Sequence, residues 1–233
     1  MTSDSYGTLY IVSTPIGNLK DITFRAVEIL SSVSMIAAED TRHSKKLFQH
    51  YNISTPSISF FEHNRTARIP QIVSNLKKGN HIALISDAGT PGISDPAYRL
   101  IREAIAEEIT VESIPGPTAL IAGIVSSGLP TDRILFEGFL PPKKGRKKRL
   151  MNLIDQDATI IFYESPYRLI KTLKEIYEVL GDRPAVIARE LTKMNEEIIR
   201  GTVSDILSYF SNNKPRGEFV IMIGKNDTNV FFK

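Results

Sequence analysis

The chain has 233 residues, of which 42% are apolar and 24% charged, so it is long enough to fill one large or two modest hydrophobic cores. It contains no cysteine, which excludes disulfides, thiolate chemistry and cysteine-ligated metals. Its 29 basic and 26 acidic residues leave a net charge of +3, a balance too even to indicate nucleic-acid binding by itself.

Short apolar runs alternate with amphipathic stretches through the first half of the chain. Alternation of this kind predicts strands joined by helical crossovers, and hence a largely parallel sheet. The predicted strands are 8–13, 34–38, 57–60, 81–86 and 110–114, and the predicted helices are 22–32, 44–51, 67–78 and 96–107.

The pattern changes after Pro117, where a helix of small residues is predicted at 118–127. Strands predicted at 185–189 and 196–201 are joined by a short polar link, which is typical of an antiparallel hairpin. The other predicted strands are 134–139, 159–163 and 218–223, and the other helices are 147–154, 167–180 and 203–210. We therefore predict two α/β domains, 1–117 and 118–233, with mixed, largely parallel sheets.

No apolar run approaches the roughly 18 residues that a membrane-spanning helix needs, and the segment 1–7 is short and polar. A signal peptide needs a longer apolar stretch behind a basic start. We therefore expect neither a membrane span nor a signal peptide, and a location in the cytoplasm.

The stretch HIALISDAGTPGISDP, residues 81–96, is the most informative segment of the chain. A strand-like run leads into a Gly/Pro loop that holds Asp87, while Asp95 and Pro96 stand where a helix cap and a first helical turn belong. Glycines let backbone atoms approach a ligand, and open α/β sheets bind ligands at the carboxyl ends of their strands. A tight turn between a strand and a helix explains the same residues.

Two further strand exits carry proline and glycine together, in YIVSTPIGN at 10–18 and IPGPTALIA at 114–122. None of the three loops matches the glycine pattern of dinucleotide-binding folds or the phosphate loop that ends in Gly-Lys-Ser/Thr. Three such exits in one half of the chain favour a common crevice for a ligand less anionic than a pyrophosphate.

A basic segment in the second half holds six cations within seven residues: Lys143, Lys144, Arg146, Lys147, Lys148 and Arg149. Such a cluster attracts phosphates and releases their counterions on contact, so we predict that it binds RNA. The alternative is a solvated helix start that aids solubility. For a second basic set, Arg42, Lys45 and Lys46, a solvated helix face explains the residues at least as well.

Seven motifs occur in order along the chain: TPIGN (14–18), AEDTR (38–42), SDAGTPGISDP (86–96), PGPTA (115–119), FYESPYR (162–168), ARELTK (188–193) and GEFV (217–220). With them the chain resembles the tetrapyrrole methylase superfamily of S-adenosylmethionine-dependent methyltransferases. More narrowly, FYESPYR, ARELTK and GEFV resemble the branch of that superfamily that methylates the ribose 2′-hydroxyl of a cytidine in the decoding region of 16S ribosomal RNA. AEDTR and ARELTK separate this branch from the porphyrin-modifying relatives. One departure is length, because some members carry an additional C-terminal segment.

The resemblance implies S-adenosyl-L-methionine as cofactor in a cleft between the two domains. It also implies small-subunit ribosomal RNA or the assembled 30S subunit as partner, and a homodimer. The cofactor contacts it implies before and at the domain boundary are Pro15, Asp87, Gly89, Thr90, Ile93, Thr118 and Ala119. Those that follow are Phe162, Tyr163, Ala188, Arg189, Gly217 and Glu218. For Phe162 the alternative is a core side chain whose backbone alone touches the cofactor.

Methyl transfer to a ribose hydroxyl benefits from a base or from charges that stabilise the developing alkoxide. The candidates are Glu39, Asp40, Arg42, Glu190 and Lys193. Structural alternatives exist: Asp40 or Thr41 caps a helix with Arg42 in solvent, and Glu190 pairs with Arg189 or Lys193. Lys193 is a base only if burial lowers its pKa, whereas as a cation it holds a phosphate or the alkoxide.

The histidines show no spacing with carboxylates that indicates a metal, and we interpret His63 as a substrate-loop residue. We therefore predict no metal site. Two other functions remain open: methylation of a tetrapyrrole ring, and RNA binding without catalysis on the same fold. The basic segment and the AEDTR and ARELTK motifs argue against the tetrapyrrole substrate.

Overall fold

The first half of the chain forms a parallel sheet. The computed structural model describes residues 6–95, 97–227, 229–230 and 232, and it divides into two units, Met1–Thr118 and Ala119–Lys233. The strands of the first unit are β1 (Leu9–Val12), β2 (Met35–Ala38), β3 (Ser57–Ser59), β4 (Ile82–Ile85) and β5 (Val111–Ile114). They pair in the order β3-β2-β4-β1-β5, all in parallel.

Helices cover both faces of this sheet. They are α1 (Phe24–Ser32), α2 (Thr41–His50), α3 (Arg65–Lys77) and α4 (Ala97–Ala106), and a short 3-10 turn at Leu19–Asp21 follows β1. Side chains of α1 and α2 share a core with one set of strand residues, and those of α3 and α4 share a core with the alternate set. Because successive strand side chains point to opposite faces, the two helix pairs lie on opposite sides of the sheet.

The direction of the connections reverses between β2 and β4. The chain leaves β2 toward α2 on one face and leaves its neighbour β4 toward α4 on the other face. Diverging connections open a crevice at the carboxyl ends of the two strands, which is the usual ligand position in open α/β sheets. Pro96, predicted to lie in the first turn of α4, is outside the described residues.

The second unit has a mixed sheet. Its strands are β6 (Ile134–Phe139), β7 (Thr159–Glu164), β8 (Pro184–Arg189), β9 (Glu197–Thr202) and β10 (Phe219–Ile223), in the order β6-β7-β10-β8-β9. Its helices are α5 (Ala119–Ser127), α6 (Arg146–Met151), α7 (Leu169–Leu180) and α8 (Val203–Asn212).

The predicted α/β class is confirmed, and so is the hairpin of β8 and β9. Among the described strands of the second sheet, however, β6 and β7 are parallel while the other pairs are antiparallel. The parallel character therefore belongs mainly to the first sheet. Within the described ranges, no helix combines the length and the apolar character that crossing a bilayer requires.

Candidate active site

The loops after β1 and β4 are joined by their backbones. Thr14 N–H donates to the Gly89 carbonyl (2.9 Å), and Gly89 N–H donates to the Thr14 carbonyl (3.0 Å). The hydroxyls of Ser13 and Thr90 lie 2.8 Å apart, within hydrogen-bond distance. These bonds hold the TPIGN and SDAGTPG loops against each other at the carboxyl edge of the first sheet.

The third loop, after β5, contacts the loops that follow β1 and β4. Thr90 Oγ1 donates to the Pro117 carbonyl at 3.4 Å. A Cβ added at Gly116 would lie 2.8 Å from the Ser13 Cβ, so only glycine allows this approach. Gly89 has φ +85°, and a Cβ there would lie 3.6 Å from the Pro117 carbonyl oxygen. The three Gly/Pro loops therefore meet, and they carry the predicted cofactor residues Pro15, Asp87, Gly89, Thr90, Ile93 and Thr118.

Carboxylates tie the ends of β2 and β4 together at the reversal point. Asp87 N–H donates to Glu39 Oε2 (3.2 Å), and Asp40 N–H donates to Asp87 Oδ1 (3.0 Å). Burial raises the pKa of Glu39, and the nearby carboxylates of Asp87, Asp95 and Asp40 raise it further, against the lowering effect of the Asp87 backbone bond. Glu39 thus binds a proton more readily than a free glutamate does.

Asp95 closes the SDAGTPGISDP loop. Its carboxylate accepts the Gly92 N–H at 2.8 Å and the Ala97 N–H at 2.9 Å, the second of which is the bond expected of a helix-capping side chain. Burial raises the pKa of Asp95. The loop is therefore fixed at both ends, by Thr14 and by the start of α4.

Asp40 caps α2, which is the structural role that the sequence offered as an alternative to catalysis. Its Oδ1 accepts the Arg42 N–H at 2.8 Å, and its Oδ2 lies 2.8 Å from Arg42 Nη2. The bonds from Arg42 lower the pKa of Asp40 to about 2, so this carboxylate is a poor proton acceptor. The cap also explains why α2 begins at Thr41, before the predicted start at 44. The Arg42 side chain is 90% exposed.

The predicted residues of the second unit gather at one end of its sheet. Val220 of β10 pairs with Tyr163 of β7 and Ala188 of β8, which brings Arg189, Gly217 and Glu218 to the same edge. The Phe162 ring is fully buried in the core, so the core alternative holds for its side chain. The Tyr163 hydroxyl accepts the Leu120 N–H at 2.9 Å, at the start of α5, directly after Ala119.

The ARELTK motif forms an ion-pair cluster. Lys193 Nζ lies 2.9 Å from Glu190 Oε1 and 2.8 Å from Glu218 Oε2. Burial lowers the pKa of Lys193, but the bonds to Glu218 and Glu190 outweigh it and the pKa is raised. The condition under which Lys193 is a base is therefore not met, and it stays a cation.

Glu190 is the second member of that cluster. Burial raises its pKa, but hydrogen bonds from Lys193 and the Glu218 N–H outweigh burial, so the pKa is lowered and the group stays ionised. Its φ is +52°, a strained value for a residue other than glycine. Gly217 leaves room for the Glu190 side chain, because a Cβ there would lie 2.5 Å from Glu190 Cδ. Arg189 pairs instead with Glu197, at 3.1 Å.

The basic segment, residues 143–149, divides into two parts. Lys143, Lys144, Lys147 and Lys148 are exposed, and so is Arg149, which pairs with Glu137. Arg146 does not fit the RNA-binding prediction, because it is 4% exposed and points inward. It pairs with Glu175, and its Nη2 donates to Thr172 Oγ1 at 2.5 Å. We therefore leave Arg146 out of the RNA surface.

A buried carboxylate, Glu164, connects the start of α6 to α7. Its Oε2 accepts the Thr172 hydroxyl at 2.6 Å and lies 3.9 Å from Arg146 Nη2. Its Oε1 lies 2.8 Å from Arg168 Nη2. This network is not among the features predicted from the sequence, although a glutamate at the end of the apolar run TIIFYE signals a buried charge that needs a partner.

The histidines have separate environments. His63 is exposed, with its ring centroid 6.2 Å from that of Phe61. His81 Nδ1 accepts the Thr8 N–H at 2.9 Å. In the part of the chain that the structure describes, no three histidine, aspartate or glutamate side chains are grouped as a metal ion would require.

The sequence of this chain is similar to those of known methyltransferases. Residues 8–207 match the model of the family described as Tetrapyrrole (Corrin/Porphyrin) Methylases. The chain belongs to this family. It is 52% identical over 219 residues to ribosomal RNA small subunit methyltransferase I of Synechocystis sp., a match that covers 93% of this chain and 78% of that protein. To the protein of the same name from Thermotoga maritima it is 47% identical, covering 93% of this chain and 98% of the relative.

Solved structures show the same fold. Uroporphyrin-III C-methyltransferase from Thermus thermophilus, complexed with S-adenyl homocysteine, superposes with a TM-score of 0.67. The match covers 94% of this chain and 98% of that one, at 14% identity. At that identity the likeness concerns the fold, and it confirms the architecture expected from the motifs.

Proposed function

We propose that this chain transfers a methyl group from S-adenosyl-L-methionine to the ribose 2′-hydroxyl of a cytidine in the decoding region of 16S ribosomal RNA. The observation that carries the proposal is 52% identity, over 93% of the chain, to a protein named ribosomal RNA small subunit methyltransferase I. The exposed lysines of the basic segment support it, because they offer a polyanion such as RNA a binding surface.

The joined loops of the first unit fit this cofactor chemically. Their polar groups include acceptors, namely the carboxylate of Asp87 and the backbone carbonyls of Gly89 and Pro117, which suit a sulfonium cation and hydroxyl or amino donors better than a phosphate. When bound, the cofactor supplies a methyl group on a positively charged sulfur. The residues that would hold it are Pro15, Asp87, Gly89, Thr90, Ile93, Thr118 and Ala119, with the backbone of Phe162 and with Tyr163, Ala188, Arg189, Gly217 and Glu218.

Glu39 is the proposed base for the ribose hydroxyl. A base works best when its pKa is close to the working pH, and Glu39 is the catalytic candidate whose carboxyl pKa is raised. Asp40, with a pKa of about 2, and Glu190, with a lowered pKa, bind a proton too weakly. In this proposal the other four candidates do not accept the proton. They hold their loops in place through ion pairs and hydrogen bonds: Asp40, Arg42, Glu190 and Lys193.

Asp87 tests the cofactor site. Asp87→Asn keeps an oxygen that accepts the Asp40 N–H but removes the negative charge, and we expect affinity for S-adenosylmethionine to fall by about tenfold or more. Asp87→Ala should lose the same affinity and about 1 kcal/mol of stability as well, because the Asp40 N–H loses its partner. Titration calorimetry and urea unfolding measure the two effects. Unchanged affinity in both variants would remove Asp87 from the site.

The exposed lysines test the RNA partner. Changing Lys143, Lys144, Lys147 and Lys148 to alanine should lower the salt dependence of RNA binding, log K against log salt, by roughly 3 for four lost phosphate contacts. Cofactor affinity should stay the same. The matched control changes Lys45 and Lys46 on α2, a charged set for which we expect an unchanged slope. An equal loss of cofactor and RNA affinity in the first variant would show that the segment is structural.

Methyl transfer itself decides among the functions. Labelled S-adenosylmethionine is offered with small ribosomal subunits, protein-free ribosomal RNA or a porphyrin precursor, and we expect label in the RNA. A 2′-O-methyl group blocks alkaline cleavage at its own nucleotide, because that cleavage needs the free 2′-hydroxyl, so the modified position appears as a gap in an alkaline ladder. Label in the porphyrin alone would favour the tetrapyrrole function, and label in neither substrate would favour RNA binding without catalysis.

We also propose that the assembled 30S subunit is the substrate, that the enzyme acts in the cytoplasm, and that it is a homodimer. The first proposal predicts faster transfer to small subunits than to protein-free RNA. Analytical ultracentrifugation at assay concentration tests the last, and a monomer that is fully active would contradict it.

A further inference from the structure

Tyr167 is the one residue of the FYESPYR motif whose ring stands almost entirely in solvent, with a relative exposure of 97%. Other residues of the motif have structural roles, since Phe162 packs in the core and Glu164 forms an ion pair with Arg168. A single exposed apolar group is ordinary. What distinguishes Tyr167 is the rigidity of its backbone and the charge beside it.

The backbone that carries Tyr167 is fixed on both sides. The N–H groups of Arg168 and Leu169 both donate to the Ser165 carbonyl at 3.1 Å. The Arg168 guanidinium lies 2.8 Å from Glu164 Oε1 and donates to the Leu140 carbonyl at 3.1 Å. The ring is therefore held out at the start of α7 by an ordered segment, and a ligand that binds it does not have to order a mobile loop.

The contacts of Arg168 also hold the basic segment close to Tyr167. Leu140, which Arg168 touches, lies three residues before Lys143, a stretch that spans at most roughly 10 Å. Arg146 holds the other end, because it donates to the Pro141 carbonyl at 3.3 Å and pairs with Glu164 at 3.9 Å. One buried carboxylate thus anchors both the ring-bearing turn and the segment that carries the exposed lysines.

We propose that Tyr167 is a stacking platform for an unpaired base of the RNA substrate, with the exposed lysines binding the adjoining phosphates. This inference rests on the proposed function. Proteins that bind unpaired RNA combine aromatic faces for the bases with cations for the backbone, and the structure brings these two groups together. Stacking tolerates any base, so Tyr167 contributes affinity and placement of the strand rather than sequence choice.

Charge favours RNA over a second copy of the chain as the occupant of this surface. A symmetric interface between two copies places the same patch on both partners. An interface centred on this patch would then contain Lys143, Lys144, Lys147 and Lys148 of both copies, and these like charges repel. The lysines attract a polyanion such as RNA instead, and each contact with a phosphate releases counterions.

The experiment compares Tyr167→Phe with Tyr167→Ala, using a fluorescent single-stranded RNA with the decoding-region sequence as probe and anisotropy at several salt concentrations. The exposed ring contributes little to the core, so both variants should fold like the wild type. Phenylalanine should bind within about twofold of the wild type, because it keeps the aromatic face. Alanine should bind about five- to 150-fold more weakly, the usual effect of removing one stacked ring. Its salt slope should stay unchanged, unlike that of the lysine variant.

The possible outcomes distinguish a failure of the stacking role from a failure of the proposed function. If wild type and Tyr167→Ala bind equally and the wild type methylates RNA, the stacking role is wrong and the proposed function stands. An equal loss in Tyr167→Phe points to the hydroxyl and also overturns stacking. A changed sedimentation coefficient in Tyr167→Ala assigns the ring to an interface between copies. If the wild type neither binds the probe RNA nor methylates small subunits, the proposed function fails and the stacking role with it.

Discussion

Replacing Glu39 with glutamine is expected to lower kcat for methyl transfer by about 10²- to 10⁴-fold, the usual contribution of a positioned base. The amide cannot take the ribose proton, yet it has the same shape, and its oxygen can still accept the Asp87 N–H that Glu39 accepts at 3.2 Å. Cofactor affinity should therefore change little. Single-turnover transfer of labelled methyl measures the rate, and calorimetry measures cofactor binding.

The pH dependence gives a second readout for Glu39. Its pKa is raised above 4.5 by burial and by neighbouring carboxylates, so the active, ionised form is lost as the pH falls through that raised pKa. The wild type should show this acid limb in kcat, whereas the residual activity of Glu39→Gln should lack it. A limb that persists in the variant would assign the titration to another group, and Glu39 would no longer be the proposed base.

Stability should move in the opposite direction from activity. A carboxyl group whose folded pKa is raised binds its proton more tightly in the folded state, so folding stability is lost as the pH rises above the ordinary value of 4.5. Glu39→Gln removes this loss and should be at least as stable as the wild type near neutral pH, with the difference vanishing well below pH 4.5. The matched control is Asp40→Asn, which keeps the helix cap and should leave kcat within about tenfold.

The second large effect is expected at Glu164, where Glu164→Ala should destabilise the protein by about 3–5 kcal/mol. The substitution leaves Arg146 and the Thr172 hydroxyl buried without their shared carboxylate, and it removes the ion-pair partner of Arg168, which keeps its bond to the Leu140 carbonyl. Urea unfolding measures the loss, provided that the slope with denaturant stays constant.

Arg149→Ala is the control for this network. Arg149 lies in the same helix as Arg146, but its own side chain is half exposed. Because the side chain of its partner Glu137 is only 5% exposed, Arg149→Ala should cost about 1–2 kcal/mol, still less than Glu164→Ala. If Glu164→Ala proves no more harmful than Arg149→Ala, the buried network does not hold α6 against α7.

Much of the first sheet could be predicted from the sequence because its strands are short, apolar and separated by clear Gly/Pro loops. The run IALI of β4 is buried throughout, as expected for a central parallel strand. The meeting of the three loops could also be anticipated, since carboxyl ends of parallel strands share one edge. Which carboxylate has the raised pKa could not, because that depends on how closely Glu39, Asp87 and Asp95 approach one another.

The second unit was harder to predict, for two physical reasons. The sequence predicts the basic segment as one exposed surface, yet Arg146 and Leu150 lie one helical turn apart and are both buried. That i, i+4 spacing is a signal that Arg146 faces inward. The direction of the strands depends on β10, which lies between β7 and β8, and nothing in the local pattern of GEFVIMI indicates where in the sheet it pairs.

The central place of β10 governs how a nascent chain can fold. The first unit ends at Thr118 and can form while the ribosome is still translating the rest. β7 and β8 emerge early, but both must wait for Phe219–Ile223 before their facing edges are paired. Unpaired edges are sites for aggregation, so until residue 223 is made the facing edges of β7 and β8 stay open to association with other chains.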